Sequence, residues 1–202
     1  MSSDKIETRT KILEATVRTL EESGGRGVRM GDIARETGIS RQAVYLHFAS
    51  RTELLIAAIR YTGDQLDVDS RLAPSRAATS GVERLQLYIE FWGNYIPEIY
   101  PVARALMTAQ DTDEAAAAAW RDRMLAMRDG CRAAIDALHA DGMLAGEWTR
   151  PKATDALWTM LLLPNWENLT IECGWSTKEY IRRTTFLARR CFVKNSGDDD
   201  SG

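Results

Sequence analysis

The chain has 202 residues, 45% of them hydrophobic and 27% charged, and a formal net charge of −3. Such a chain buries about 70% of the surface its unfolded form exposes and is too apolar for wholesale disorder. It has no 18-residue apolar run, and Met1 to Thr10 lacks the apolar stretch of a secretory leader, so no membrane span and a cytoplasmic location are expected.

Helix signals dominate and strand signals are scarce. Leu13, Val17 and Leu20 recur at helical spacing from Thr10 to Glu22, before Ser23-Gly24-Gly25 ends the run. Met30 to Thr37 reads as a short helix closed by Gly38, and Ser40 as the N-cap of a second, Arg41 to Phe48. Ser50 and Glu53 form a capping box, repeated at Ser80/Glu83 and Ser176/Glu179. The helix after Ser50 carries Leu55, Ile59, Thr62 and Leu66 on one face and fades near Asp69, ahead of a linker at Ala73-Pro74-Ser75. A helix from Ser80 to about Tyr95 is expected to break at Pro97 and Pro101 and resume to about Gln110. Asp113 to Ala140 reads as one long helix stopped by Asp141-Gly142. Thr149 to Cys173 reads as another, kinked at Pro164, and the last runs from Thr177 to about Lys194. This predicts an all-α protein of about nine helices. Its expected parts are an N-terminal helical domain over 1–51, a larger helical domain over 52–194, and a disordered acidic tail over 195–202.

Charge is unevenly spread. Residues 1–51 hold nine Lys/Arg against seven Asp/Glu, whereas the rest holds seventeen against twenty-two. Within Met30–Phe48 the positions also have mechanical sense. Ala34 is small where a second helix crosses, Gly38 is free to take positive φ in a tight turn, and Val44 seals the contact with Ile33 and Ile39. That is the layout of a helix-turn-helix, with an ordinary helical hairpin as the bland alternative.

At this point the sequence resembles a known family. Gly27-Val28-Arg29-Met30, Ile33-Ala34, Gly38-Ile39-Ser40-Arg41 and Val44-Tyr45-Leu46-His47-Phe48-Ala49-Ser50-Arg51 are similar to the DNA-binding domain of TetR-type (tetracycline-repressor-type) transcriptional regulators. The likeness covers roughly residues 8–60. Arg29 departs from it, since members often place Ser or Thr there as a cap, but an arginine reaches a phosphate. The resemblance implies that the third helix enters the major groove. Arg41 and Gln42 then meet base edges, with Ser40 at the helix start and Ala43 available to a thymine methyl. Tyr45, His47 and Arg51 fit backbone contacts, with hairpin packing for Tyr45 and a helix C-cap for His47 as the structural alternatives.

Thirteen of the sixteen aromatic residues lie beyond residue 87. The stretch holding Tyr88, Phe91, Trp92 and Tyr95 is apolar on two faces, which suits either a plain core helix or the wall of a ligand cavity. For the cavity, Tyr88, Trp92, Tyr95, Met107, Trp120, Met124, Trp158 and Trp166 are the candidate lining residues, with Met127 beside them and Tyr88, Tyr95 or Asn94 as polar handles. The last two long helices are apolar on more than one side: Leu157/Met160/Leu161 and Trp158/Leu162/Leu169 on one, Ile181/Thr185/Ala188/Phe192 and Tyr180/Leu187/Cys191 on the other. The resemblance implies a homodimer formed by these helices, and a coupling of ligand to DNA through the fourth helix. Cys131, Cys173 and Cys191 are widely spaced and read as buried small hydrophobes rather than a disulfide framework or metal knuckle. His47 and His139 lie far apart, no E-x-x-H spacing occurs, and no nucleophile elbow, Walker loop or dinucleotide fingerprint is present. Neither metal, cofactor nor enzyme activity is therefore expected. The sequence thus predicts a ligand-responsive regulator, a repressor that binds a palindromic operator in double-stranded DNA as a homodimer and is released by a small hydrophobic or aromatic effector. The alternative is a helical small-molecule- or partner-binding protein without a DNA role.

Overall fold

The computed structural model describes residues 3–194. Regular structure among them is ten α-helices and one π-helical turn, with an isolated antiparallel bridge between Leu144 and Val193. None of these helices is long and apolar enough to cross a membrane. The acidic tail expected over 195–202 lies outside the described residues.

Local signals place most helix ends. Helix α1, Ser3–Ser23, begins well before Thr10. Its polar first turns are held by the Glu7–Lys11 pair at 2.7 Å and by the Thr8 and Thr10 hydroxyls, which donate to carbonyls one turn back. Helix α2 is Met30–Thr37, closed by Gly38 at φ 71°. Helix α3 is Arg41–His47, with Ser40 Oγ accepting from the Ala43 amide and Phe48 as its C-cap. Helix α4, Arg51–Gln65, starts on the Ser50 box. Ser50 Oγ accepts from the Glu53 amide, and Glu53 Oε2 accepts from the Ala49 amide at 2.7 Å.

Four expectations about helix continuity are corrected. Asp67 takes φ 45° and ends the fourth helix early. Ala73-Pro74-Ser75 is no linker but part of helix α5, Val68–Arg76. There Ser75 is buried and donates to the Arg84 carbonyl, while Arg76 pairs with Asp69 at 2.9 Å. Helix α6, Gly81–Ala109, runs unbroken through Pro97 and Pro101. An interior proline costs about 3 kcal/mol, but Ile96, Val102, Ala103 and Leu106 beside them are almost fully buried, and each large side chain returns about 1.5–3 kcal/mol. Helix α7, Glu114–Ala140, is capped by Asp113, whose carboxylate accepts from the Ala116 amide. At Pro164 the expected kink is a full break. Helix α8, Arg150–Leu161, ends where Leu162 turns extended at ψ 145°. Pro164 then sits in the first turn of helix α9, Leu163–Glu167, where its missing N–H costs nothing. The π-helical turn Asn168–Glu172 follows, then helix α10, Thr177–Phe192.

The helices form two compact units. The first holds the chain up to Asp67 together with Glu98–Arg123, and the second holds Val68–Pro97 and the chain from Met124 onward. This division does not follow the expected boundary at residue 51, because α6 and α7 each contribute to both units, but 1–51 falls wholly within the first. In the first unit α1 packs on α4 and α2, and α2 on α3, around Ile12, Leu20, Ile33, Val44, Phe48 and Leu55. Ile39 is only half-buried. The second unit is built on Leu85, Ile89, Ile135, Leu138, Leu157, Leu161 and Phe192. Helix α10 turns Tyr180, Thr184, Ala188 and Phe192 inward, so Tyr180 does not share the outer face with Leu187 and Cys191. Cys131 is buried as expected, but Cys173 and Cys191 are exposed thiols. They sit after the π-helical turn and on the outer side of α10, where no core is available to take them.

Candidate nucleic-acid interface

The geometry starts from α2 and α3. Gly38 lets the chain reverse in one residue, with the Ile39 amide returning to the Ala34 carbonyl at 3.0 Å. Ala34 and Val44 are buried at the crossing, so the opposite side of α3 faces solvent. That side presents Arg41, Gln42, Tyr45 and Leu46, all exposed, with Ala43 half-buried beside them. Arg41 does not dangle. Its guanidinium lies 5.6 Å from the Tyr45 ring centroid and its Nη2 is 3.4 Å from the Tyr45 hydroxyl, one turn further on.

A groove of about 700 Å³ opens next to this helix, lined by Arg26, Gly27, Arg29, Arg41, Tyr45 and Arg51 among others. Asp32 also faces it, but its carboxylate is held by Arg35 at 3.0 Å. Nearby Glu36 is held by Arg18 and the Thr19 hydroxyl. Among the described residues no carboxylate pairs with the four arginines of the groove. The groove therefore concentrates uncompensated positive charge in a protein whose net charge is negative, a setting that favours phosphate. Arg29 stands at the N-cap of α2 with extended backbone and makes no capping bond, leaving its side chain exposed. Arg51 is seated by Gly27. The glycine takes φ 103°, and a Cβ there would lie 2.5 Å from Arg51 Nη2.

His47 is half-buried in the last turn of α3 and does not cap it, since the Phe48 amide closes the helix on Val44. Its Nδ1 is buried without a hydrogen-bond partner. Thr52, next to Arg51, donates to Asp113 Oδ2 at 2.5 Å, which ties the first turn of α4 to the cap of α7 within the same unit. Sequence reasoning missed Leu46 and the Gly27–Arg51 seat. The first was discoverable as the i+4 neighbour of Gln42. The second joins residues 24 apart and has no local signature.

The expected effector-binding residues fall in different places. Tyr88, Trp92 and Tyr95 belong to one aromatic cluster in the second unit, where Phe91 and Tyr95 stack at 5.1 Å and Trp92 meets both edge-on. Trp92, Met124 and Trp158 pack on the core of that unit, beside Met127. Trp166 is buried in it, whereas Met107 and Trp120 are half-buried in the first unit. Tyr88 is committed internally. Its hydroxyl donates to the Met127 carbonyl at 2.7 Å, and burial pushes the phenol well above its usual range. Asn94 is exposed and bonds the Glu90 carbonyl, so it faces no interior space.

Residues 12–58, which contain this geometry, match the family model of bacterial regulatory proteins, tetR family. Over 194 residues the chain is 23% identical to the HTH-type transcriptional regulator CymR of Pseudomonas putida, covering 94% of this chain and 93% of that one. Its fold matches a transcriptional regulator of Saccharomonospora viridis solved in complex with choline, at TM-score 0.79 and 20% identity over 94% of this chain and 99% of that one. It also matches the regulator FadR of Bacillus subtilis in complex with stearoyl-CoA, at TM-score 0.73 and 12% identity over 90% and 98%. With its helix-turn-helix and capped third helix, the segment 12–58 is similar to the segment that defines the tetR family of bacterial regulatory proteins, and the rest of the chain shares the fold of the regulators it matches.

Proposed function

We propose that this chain is a repressor that binds a palindromic operator as a homodimer and leaves it when a small molecule occupies the second unit. The observation that carries the DNA reading is the unpaired arginine groove beside the solvent-facing side of α3. Arg41 and Gln42 read base edges, while Arg29, Tyr45, His47 and Arg51 hold the phosphate backbone. Ser40 sets the start of α3, and Ala43 lies close enough to the surface to touch a base.

Dimerisation is supported by Phe186 and Leu187 on α10 and Ile171 on the π-helical turn, each about half exposed. Large apolar side chains on adjoining elements need a cover, and a second copy brings the two recognition helices to the spacing of successive major grooves. The effector reading rests on the Phe91–Trp92–Tyr95 cluster and on Trp158, whose buried indole N–H has no hydrogen-bond partner. Arg71 already places a cation 5.7 Å from the Tyr95 ring centroid. The choline-bound relative supports a quaternary ammonium head as one option, and the stearoyl-CoA-bound relative supports an apolar body.

Sequencing genomic fragments retained by the purified protein identifies the operator and tests the proposal directly. Arg41→Ala or Gln42→Ala is expected to cost about 1–3 kcal/mol on that site and to relax preference at one base pair. Quaternary ammonium and hydrophobic compounds titrated against the complex are expected to yield one that releases it, and operator DNA then weakens that compound by the same factor, about 5–150-fold. Equal retention of operator and random duplexes by all variants would refute the groove assignment.

A further inference from the structure

Leu46 is 75% exposed, the most exposed large hydrophobic side chain among the described residues, and it lies on the helix proposed to enter the major groove. Packing does not require a leucine there. The inner side of α3 is already satisfied by Val44, and Phe48 closes its end; both are fully buried. Leu46 follows Gln42 by four residues and Ala43 by three, so these three share one stripe of α3. Arg41 and Tyr45, one turn apart and in contact with each other, make the neighbouring stripe.

An apolar side chain aimed at a major groove meets one apolar feature on the base edges, the C5-methyl of thymine. We infer that Leu46 is a specificity-determining residue that packs on a thymine methyl in each half-site. This rests on the reading that α3 occupies the major groove. Gln42 and Leu46 are about 6 Å apart along the helix axis, close to two base-pair rises of about 3.4 Å. The thymine therefore lies within two base pairs of the adenine that Gln42 suits. The alternative occupant, another protein surface covering Leu46, has no dependence on a methyl group and is separated by the same experiment.

Duplexes selected from a random pool by the full-length protein supply the operator. Each thymine is then replaced in turn by deoxyuridine, which removes only the methyl group, and affinity is measured at one salt concentration. Burial of one methyl group corresponds to about fourfold, so one thymine position should show about fourfold loss per half-site and about 15-fold when both are replaced. Leu46→Ala should bind the thymine operator more weakly and be indifferent to deoxyuridine at that position, while Gln42→Ala remains sensitive there. Its melting temperature should match the wild type, since the site is exposed and alanine is a strong helix former. Wild-type protein indifferent to deoxyuridine everywhere, or Leu46→Ala with the wild-type sensitivity profile, overturns the inference. If Arg41→Ala and Gln42→Ala still shift base preference in that case, the groove reading survives. If they do not, or if the protein selects no duplex, the groove reading fails first.

Discussion

Gly27→Ala is the sharpest single perturbation of the arginine groove, because one added carbon acts on two quantities. Backbone at φ 103° is open to glycine and costs other residues about 1–3 kcal/mol, while alanine's smaller unfolded-state entropy returns about 0.4–1. The net loss of about 1–2 kcal/mol corresponds to a fall of roughly 2–8 °C in Tm for a chain of this size. The same Cβ would sit 2.5 Å from Arg51 Nη2, so the guanidinium must leave its seat. Losing one phosphate contact lowers the salt slope by about 0.9 per protomer, or about 1.8 for a dimer on its operator. Between 50 and 200 mM salt, the ratio of wild-type to variant affinity should then change by about tenfold. Arg51→Ala alone should reproduce the slope change without the loss of Tm, since its side chain is exposed. Fluorescence anisotropy on the operator across a salt series measures the slopes, and calorimetry measures Tm. The reasoning fails if Gly27→Ala keeps the wild-type slope, or if it lowers the slope further in an Arg51→Ala background, where there is no guanidinium left to displace.

Phe186→Glu or Leu187→Glu should give monomers by sedimentation and abolish binding to a palindrome; a monomer that still bound tightly would contradict the proposed dimer face. Burial pushes the Cys131 thiol up to about 12, so at pH 8 peptide mapping after iodoacetamide treatment should find it unmodified in the folded protein and alkylated after denaturation. The hydrogen bond from Thr52, and then the Ala116 amide, hold the Asp113 carboxyl below its usual value of 3.8. A carboxylate lowered by folding stabilises the fold above that value, and its contribution disappears as pH falls below it. Thr52→Val should therefore raise the Asp113 titration midpoint seen by carboxyl-selective NMR, and an unchanged midpoint would show that the α7 cap alone sets it.

What could be read from the residues in advance follows the range of the forces involved. Met30–Thr37, the Ser40 cap and the starts after Ser50, Ser80 and Ser176 are decided within one helical turn, and the structure has each of them. The unbroken course of α6 through two prolines is decided by burial of side chains whose partners are distant in sequence. Proline's local penalty argued for a break, and local reasoning followed it. Periodicity located apolar stripes on α10 but could not say which stripe faces the core. Arg41, Gln42 and Tyr45 were singled out through the family resemblance rather than by helix spacing, and the structure leaves all three exposed. The support behind them was not legible, since the Thr52–Asp113 bond spans 61 residues.

The composition of the first unit limits how its DNA-binding head could be transplanted between relatives. A chimera joined at residue 51 or 67 takes the recognition helix but leaves behind residues 98–123, which fold with it. From that segment Arg104 donates to the Gly24 carbonyl at 3.0 Å, Asp113 accepts from Thr52, and Ala116 is fully buried. After such a cut, those polar groups would face side chains selected for another head. Moving the helix-turn-helix of this protein intact therefore takes a two-piece graft, with the middle segment 98–123 carried along.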